Sequence, residues 1–61
     1  MKYYRHETRK GLYRILPNGA RERLADGEWY LVSGYTAPRI LDKYVELSKI
    51  DTIKLLLKGL A

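Results

Sequence analysis

The stretch LYRILPNGARERLADGEWYLV, residues 12–32, sets two turn signals, Pro17-Asn18-Gly19 and Ala25-Asp26-Gly27, between runs that read as strands. Asn-Gly and Asp-Gly in such a setting are strong hairpin cues, because a twist-matched two-residue turn needs positive φ at both central positions. The pattern predicts a meander of Leu12 to Leu16, Ala20 to Leu24 and Glu28 to Val32. With a two-residue loop at each turn, Ile15 faces Glu22, Arg14 faces Arg23 and Tyr13 faces Leu24 across the first hairpin. Across the second, Leu24 faces Trp29, Arg23 faces Tyr30 and Glu22 faces Leu31. Side chains alternate along a strand. Tyr13, Ile15, Leu24, Trp29 and Leu31 are therefore expected on one face, the core, with Arg14, Arg21, Arg23, Tyr30 and Val32 on the other.

Upstream, Lys2-Tyr3-Tyr4-Arg5-His6 has the aromatic content of a further strand, and the polar link from Glu7 to Lys10 ends at Gly11. Downstream, Thr36-Ala37-Pro38 predicts a helix start with Thr36 as cap and Pro38 in the first turn. The apolar spacing of Ile40, Leu41, Tyr44 and Leu47 suits packing on a sheet. A second stripe, Ile50, Ile53, Leu57 and Leu60, runs out of phase with the first by roughly a quarter turn. Two helices are expected, with a break near residues 46–51, a cap at Ser48 or Asp51 and an end at Gly59. A short extended segment from Val45 to Ile50 is the alternative.

These elements give one domain over residues 1–61, with sheet in 1–33 and helix in 36–60. The fold class is α+β: an antiparallel three- to four-stranded β-meander with one face covered by one or two C-terminal helices. A chain this short has little core, and having no Cys it cannot supplement that core with disulfides or thiolate-bound zinc. No apolar run approaches the ~20 residues of a membrane span, and the polar N-terminal stretch does not read as a secretory signal. A cytoplasmic protein without a membrane partner, monomeric or homodimeric, is the expectation.

The net charge is +5, and it is uneven: residues 1–39 hold eight bases against four acids, with all six Arg, the single Trp and five of the six Tyr. Such a segment suits phosphate or an acidic protein surface. The predicted register makes Arg14 and Arg23 direct neighbours, a like-charge contact that an anion would relieve. Arg5, Lys10, Arg14, Arg21, Arg23 and Tyr30 are the candidate binding residues, with Lys2 and Arg9 extending the positive field. Guanidinium groups scattered over the fold, or a sheet covered on both sides, would remove this expectation.

Catalysis has little support. Glu22 is a lone carboxylate on the expected core face, explained by pairing with a Lys, a Tyr or His6, by an edge position or by a bulge that shifts the register rather than by acid–base chemistry. One His beside Glu7 does not make a zinc ligand set, and neither Ser33 nor Ser48 has a His at motif spacing. The glycines match no phosphate-cradling or dinucleotide loop. No cofactor or metal is implied. The apolar stripe flanked by Lys49, Lys54 and Lys58 reads as a core-docking helix, with a homodimer seam including Leu55 or a membrane-surface helix as alternatives.

In outline, a small basic chain with a β-meander and a C-terminal helix resembles the archaeal chromatin proteins that bind duplex DNA through a sheet. The Asp26-Gly27-Glu28-Trp29-Tyr30 segment resembles an SH3-like strand start, over five residues only. Both are likenesses of shape. The first implies binding to nucleic acid or a nucleoprotein with little sequence specificity. The alternative is a phage- or mobile-element-type accessory protein that binds and inhibits or regulates another protein through the same Arg/Tyr surface.

Overall fold

The computed structural model describes residues 1–58; the expected helix end at Gly59, and Leu60 of the second stripe, lie outside them. In chain order the elements are β1 (Lys2–His6), β2 (Leu12–Ile15), β3 (Arg21–Ala25), β4 (Glu28–Ser33), α1 (Pro38–Leu41), β5 (Tyr44–Glu46) and α2 (Lys49–Leu57). The strands form one antiparallel five-stranded sheet in the order β4-β3-β2-β1-β5. The α+β architecture and the meander follow the sequence reading, with strand count above expectation. The fifth strand falls inside residues 36–60, which were expected to be helical. It pairs with β1 through His6 and Tyr44, Arg5 and Val45, and Tyr4 and Glu46.

The second hairpin has the expected two-residue loop, with Asp26 at φ 51° and Gly27 at φ 79°, and pairs Leu24 with Trp29 and Arg23 with Tyr30. The first hairpin does not. It pairs Leu12 with Leu24, Tyr13 with Arg23, Arg14 with Glu22 and Ile15 with Arg21, one residue away from the predicted register. The cause is Pro17. In a two-residue loop on Asn18-Gly19, Pro17 would have to donate an amide hydrogen bond to Ala20, and it has no amide hydrogen. Leu16 makes that bond instead, its N–H donating to the Ala20 carbonyl at 2.8 Å. The loop becomes three residues long, with the Gly19 N–H donating to the Leu16 carbonyl at 2.8 Å and Asn18 Oδ1 accepting from the Ala20 amide at 3.0 Å. Gly19, at φ 89°, supplies the left-handed residue that such a three-residue loop needs.

A one-residue slip exchanges the faces of a strand. Tyr13 and Ile15 therefore join the side of Arg21, Arg23 and Tyr30, whereas Arg14 moves to the side of Leu24, Trp29 and Leu31. There Arg14 Nε donates to Glu22 Oε1 at 2.7 Å, in a pair whose side chains are 23% and 19% exposed, and its guanidinium carbon lies 4.1 Å from the Trp29 ring centroid. Tyr3 joins them, its ring 6.0 Å from that of Trp29. Glu22 is thus paired, but with Arg14, which the expected register placed on the opposite face, rather than with a Lys, a Tyr or His6. A bulge on β4 brings Arg21 opposite Ser33 beyond the Glu22–Leu31 pair, adding local twist at that edge.

The helices are smaller than expected. The helix α1 is one turn with Pro38 at its start, and Ala37 rather than Thr36 occupies the cap position, without a side-chain hydrogen bond. Ser48 caps α2 by accepting from the Asp51 amide at 3.1 Å. The helix α2 lies beside β1 and β5 on the Tyr3 and Arg5 side, with Thr52 buried and Leu55 half-buried. Ile50, Ile53, Leu56 and Leu57 remain exposed, Leu57 by 82%.

The buried apolar residues are Leu12, Tyr13, Ala20 and Leu24. Leu12 and Tyr13 are successive residues of one strand, so the sheet is covered on both faces at its centre. Both faces also bend. In a flat sheet β3 and β5 would stand about 14 Å apart, three strand spacings, with side chains roughly perpendicular. Instead the Arg21 guanidinium carbon is 5.5 Å from the Tyr44 ring centroid, so the sheet rolls toward the side that carries both.

Replacing Gly19 by Ala is expected to destabilise the fold by about 1–2 kcal/mol, since a β-carbon is disfavoured at left-handed φ. The same change at Gly34, where no atom lies within 4 Å of an added β-carbon and φ is not in the left-handed region, is expected to stay within about 0.5 kcal/mol of wild type. Urea unfolding of both variants checks the pair; equal losses would refute the three-residue loop.

Candidate functional site

The concave side of the rolled sheet gathers His6 from β1, Tyr13 from β2, Arg21 and Arg23 from β3, and Tyr44 from β5. Tyr44 meets Tyr13 edge-on, 5.1 Å between centroids at 81°, and meets His6 at 4.9 Å and 88°. The His6 ring also organises the loop after β1. Its Nδ1 accepts from the amides of Thr8 at 3.1 Å and Arg9 at 3.2 Å, so in the neutral ring the proton sits on Nε2. His6 thus holds a loop that carries Arg9. Among the described residues no three His, Cys, Asp or Glu side chains come together.

Two recesses open on this side and share Arg9. One, of about 340 Å³, is lined by His6, Arg9, Arg21, Arg39, Ile40, Lys43 and Tyr44. The other, of about 400 Å³, is lined by Arg9, Lys10, Tyr13, Arg23 and Val32. No acidic side chain lines either. Glu7 is the carboxylate that reaches nearest to them, 3.9 Å from Lys43 Nζ, with both groups well exposed and hence weakly coupled. Arg21 is the least satisfied cation: its Nε and Nη1 are buried without a hydrogen-bond partner among the described residues. Burying charged donors unpaired is unfavourable, and the approach to Tyr44 offsets part of it.

Arg23 is placed by the backbone. Its Nη2 donates to the Lys10 carbonyl at 3.3 Å, and it passes so close to Gly11, at φ 117°, that an added β-carbon would sit 2.8 Å from Nε. Only glycine leaves that space while holding that φ. Tyr30 lies beside Arg23 across the second hairpin, but its hydroxyl donates to Glu28 Oε2 at 3.1 Å, which puts a negative charge at this end of the surface.

The six residues read from the sequence are therefore divided, and because Arg14 lies apart from Arg21 and Arg23 and the sheet is covered on both faces at its centre, the binding surface expected from the sequence is not the one that forms. Lys10, Arg21, Arg23 and Tyr30 share one side. Arg14 sits on the opposite face with Glu22 and Trp29, because of the register slip, and is removed from the Arg surface. Arg5 pairs with Leu12 and Val45 on that same opposite face; it lines one recess with Leu55 and Lys54 of α2 and another with Arg9, Lys10 and Leu55, so it meets the cationic surface only at its margin. Arg39, Lys43 and Tyr44 belong to the site and were missed, because the segment was read as helix. Tyr44-Val45-Glu46 overlaps at Val45 and Glu46 the extended segment given as the alternative from Val45 to Ile50, but three residues carry too short a pattern to mark a strand.

Comparison with protein-family models, characterised proteins and solved structures returned no match. No helix among the described residues is long and apolar enough to cross a membrane.

Burial raises the Tyr44 hydroxyl above its ordinary pKa of 10.0; the Arg21 charge opposes the rise, Tyr13 adds to it and Arg9 opposes it. The folded state thus holds the proton more tightly than the unfolded chain. Its contribution to stability is complete below about pH 10 and is lost as pH rises through the folded value. Thermal melts across that range should show wild type losing stability more steeply than Tyr44→Phe; parallel curves would mean that Tyr44 is not buried as described.

Proposed function

We propose that this is a non-catalytic binding protein of the cytoplasm that engages nucleic acid, or a nucleoprotein, through backbone phosphates. The observation that carries the reading is a pair of recesses with no acid in their linings, in which Arg9 joins a set of Arg21, Arg39 and Lys43 to one of Lys10 and Arg23. Cations spread over several strands and loops match a row of phosphates, and no side chain there offers the set of fixed donors and acceptors that base reading needs. Exposed Tyr30 offers a ring for stacking at one end. The surface differs from the one the sequence predicts: Arg14 lies on the opposite face, Arg5 reaches only the margin beside Arg9 and Lys10, and Arg39 and Lys43 are added.

With about five phosphates neutralised, the dissociation constant should weaken by roughly a hundredfold to a thousandfold between 50 and 200 mM salt. Arg23→Glu with Arg39→Glu should abolish binding, whereas Lys49→Gln with Lys54→Gln, on the other side of the molecule, should leave the salt slope nearly unchanged. Fluorescence anisotropy with duplex and single-stranded oligonucleotides measures both. No binding at low salt, or an intact affinity in the double Glu variant, sinks the reading.

A second reading draws on a different observation. Tyr30, Leu31 and Val32 are exposed on edge strand β4, and Ile50, Ile53, Leu56 and Leu57 are exposed on α2. Apolar groups of this kind suit a protein partner, as in a phage- or mobile-element-type accessory protein that binds and inhibits or regulates another protein. Capture from lysate with and without nuclease separates the two: a partner retained after digestion favours protein binding, and one lost with digestion favours nucleic acid.

A further inference from the structure

One recess on the cationic side differs from the other in depth of charge. The cavity of about 340 Å³ holds Arg21, whose Nε and Nη1 are buried and lack an acceptor among the described residues. An aromatic ring at 5.5 Å does not replace a hydrogen-bond acceptor. Arg9, Arg39 and Lys43 surround the same space, and no carboxylate lines it. A site with four cations, whose one neighbouring carboxylate is the exposed Glu7 beside Lys43, and with two nitrogens of Arg21 already out of contact with solvent, favours a small, highly charged anion over a singly charged one.

From this we infer that the recess is a socket for a terminal phosphomonoester of a nucleic-acid strand. The inference rests on the proposed nucleic-acid reading and assigns a specific role to one part of that surface. Three features favour a strand end over an internal phosphate. A terminal phosphate carries about −1.5 to −2 charge near pH 7 and three acceptor oxygens, against the single charge of an internal diester. The planar fork of Arg21, flanked by Arg9 and Arg39, suits several oxygens on one phosphorus. An internal phosphate is tethered through both of its esters to a backbone that runs along the surface, whereas a chain end can enter a recess. The remaining phosphates of the strand then follow the shared Arg9 toward Lys10 and Arg23.

Three oligonucleotides of one sequence, bearing a 5′-phosphate, a 3′-phosphate or hydroxyls at both ends, distinguish the possibilities when their affinities are compared at low salt. The expected result is that one phosphorylated form binds at least about tenfold more tightly than the hydroxyl form. In Arg39→Gln with Lys43→Gln, both exposed positions, that ratio should collapse toward one, and Arg21→Lys should reduce it. Lys10→Gln should weaken all three oligonucleotides and keep the ratio. Thermal melts of each variant confirm that folding is retained. Equal affinity for all three forms overturns the socket while leaving the nucleic-acid reading in place. If none of the three binds, inorganic phosphate followed through the arginine Nε–H resonances decides the source. A shift of the Arg21 signal that disappears in the Arg39 and Lys43 variant would show a socket for free phosphate and overturn the strand-end assignment together with the nucleic-acid reading.

Discussion

Pro17 has no amide hydrogen, and the side on which every β2 residue lies follows from that. Because Leu16 must close the first hairpin in its place, the loop holds three residues and the β2–β3 pairing moves by one. Arg14 then meets Glu22 instead of Arg23. The like-charge contact that a two-residue loop would create becomes an ion pair, and a carboxylate that would have been an orphan in the core gains a partner. The same shift carries Tyr13 to the concave side, where it packs against Tyr44.

So small a core cannot rest on aliphatic burial alone. Leu12, fully buried, contributes on the order of 1.5–3 kcal/mol, and few side chains join it. Groups with both polar and flat apolar character take up the rest. Arg14 covers Trp29 while pairing with Glu22, and Tyr44 packs edge-on against two rings. In this way a chain without cysteine gains stabilisation from cation–π and aromatic contacts at both faces of its sheet.

The last strand shapes the chemistry. By pairing with β1, β5 brings Tyr44 under Arg21 and places α1, with Arg39, and the turn carrying Lys43 at the rim of the same concave surface. Arg9 arrives there from the opposite direction, on a loop that His6 holds by accepting two backbone hydrogen bonds. Cations distant in sequence thus converge in recesses whose linings hold no acid, with the exposed Glu7 beside Lys43 at the rim. The convergence leaves Arg21 partly dehydrated and unpaired, a state that is electrostatically unfavourable until an anion arrives.

Local signals in the sequence determined the meander. Asp26-Gly27 set its turn because both residues tolerate positive φ, and Ser48 capped α2 because its hydroxyl suits a free helix amide. The register of the first hairpin was misread from the Asn18-Gly19 signal, because the missing amide hydrogen of Pro17, which disfavours the two-residue loop, outweighs it. Candidate binding residues were legible in part: Lys10, Arg21, Arg23 and Tyr30 share one side, Arg5 meets it only at the margin beside Lys10, and Arg14 lies apart. What only the tertiary structure decided is the membership of the cationic side. Three residues of β5 carry too short a pattern to declare a strand, and their pairing with β1 depends on a partner some forty residues away. The curl that brings Arg21 to Tyr44 is a property of the whole sheet, arising from strand twist and the β4 bulge, and no segment of the chain encodes it locally.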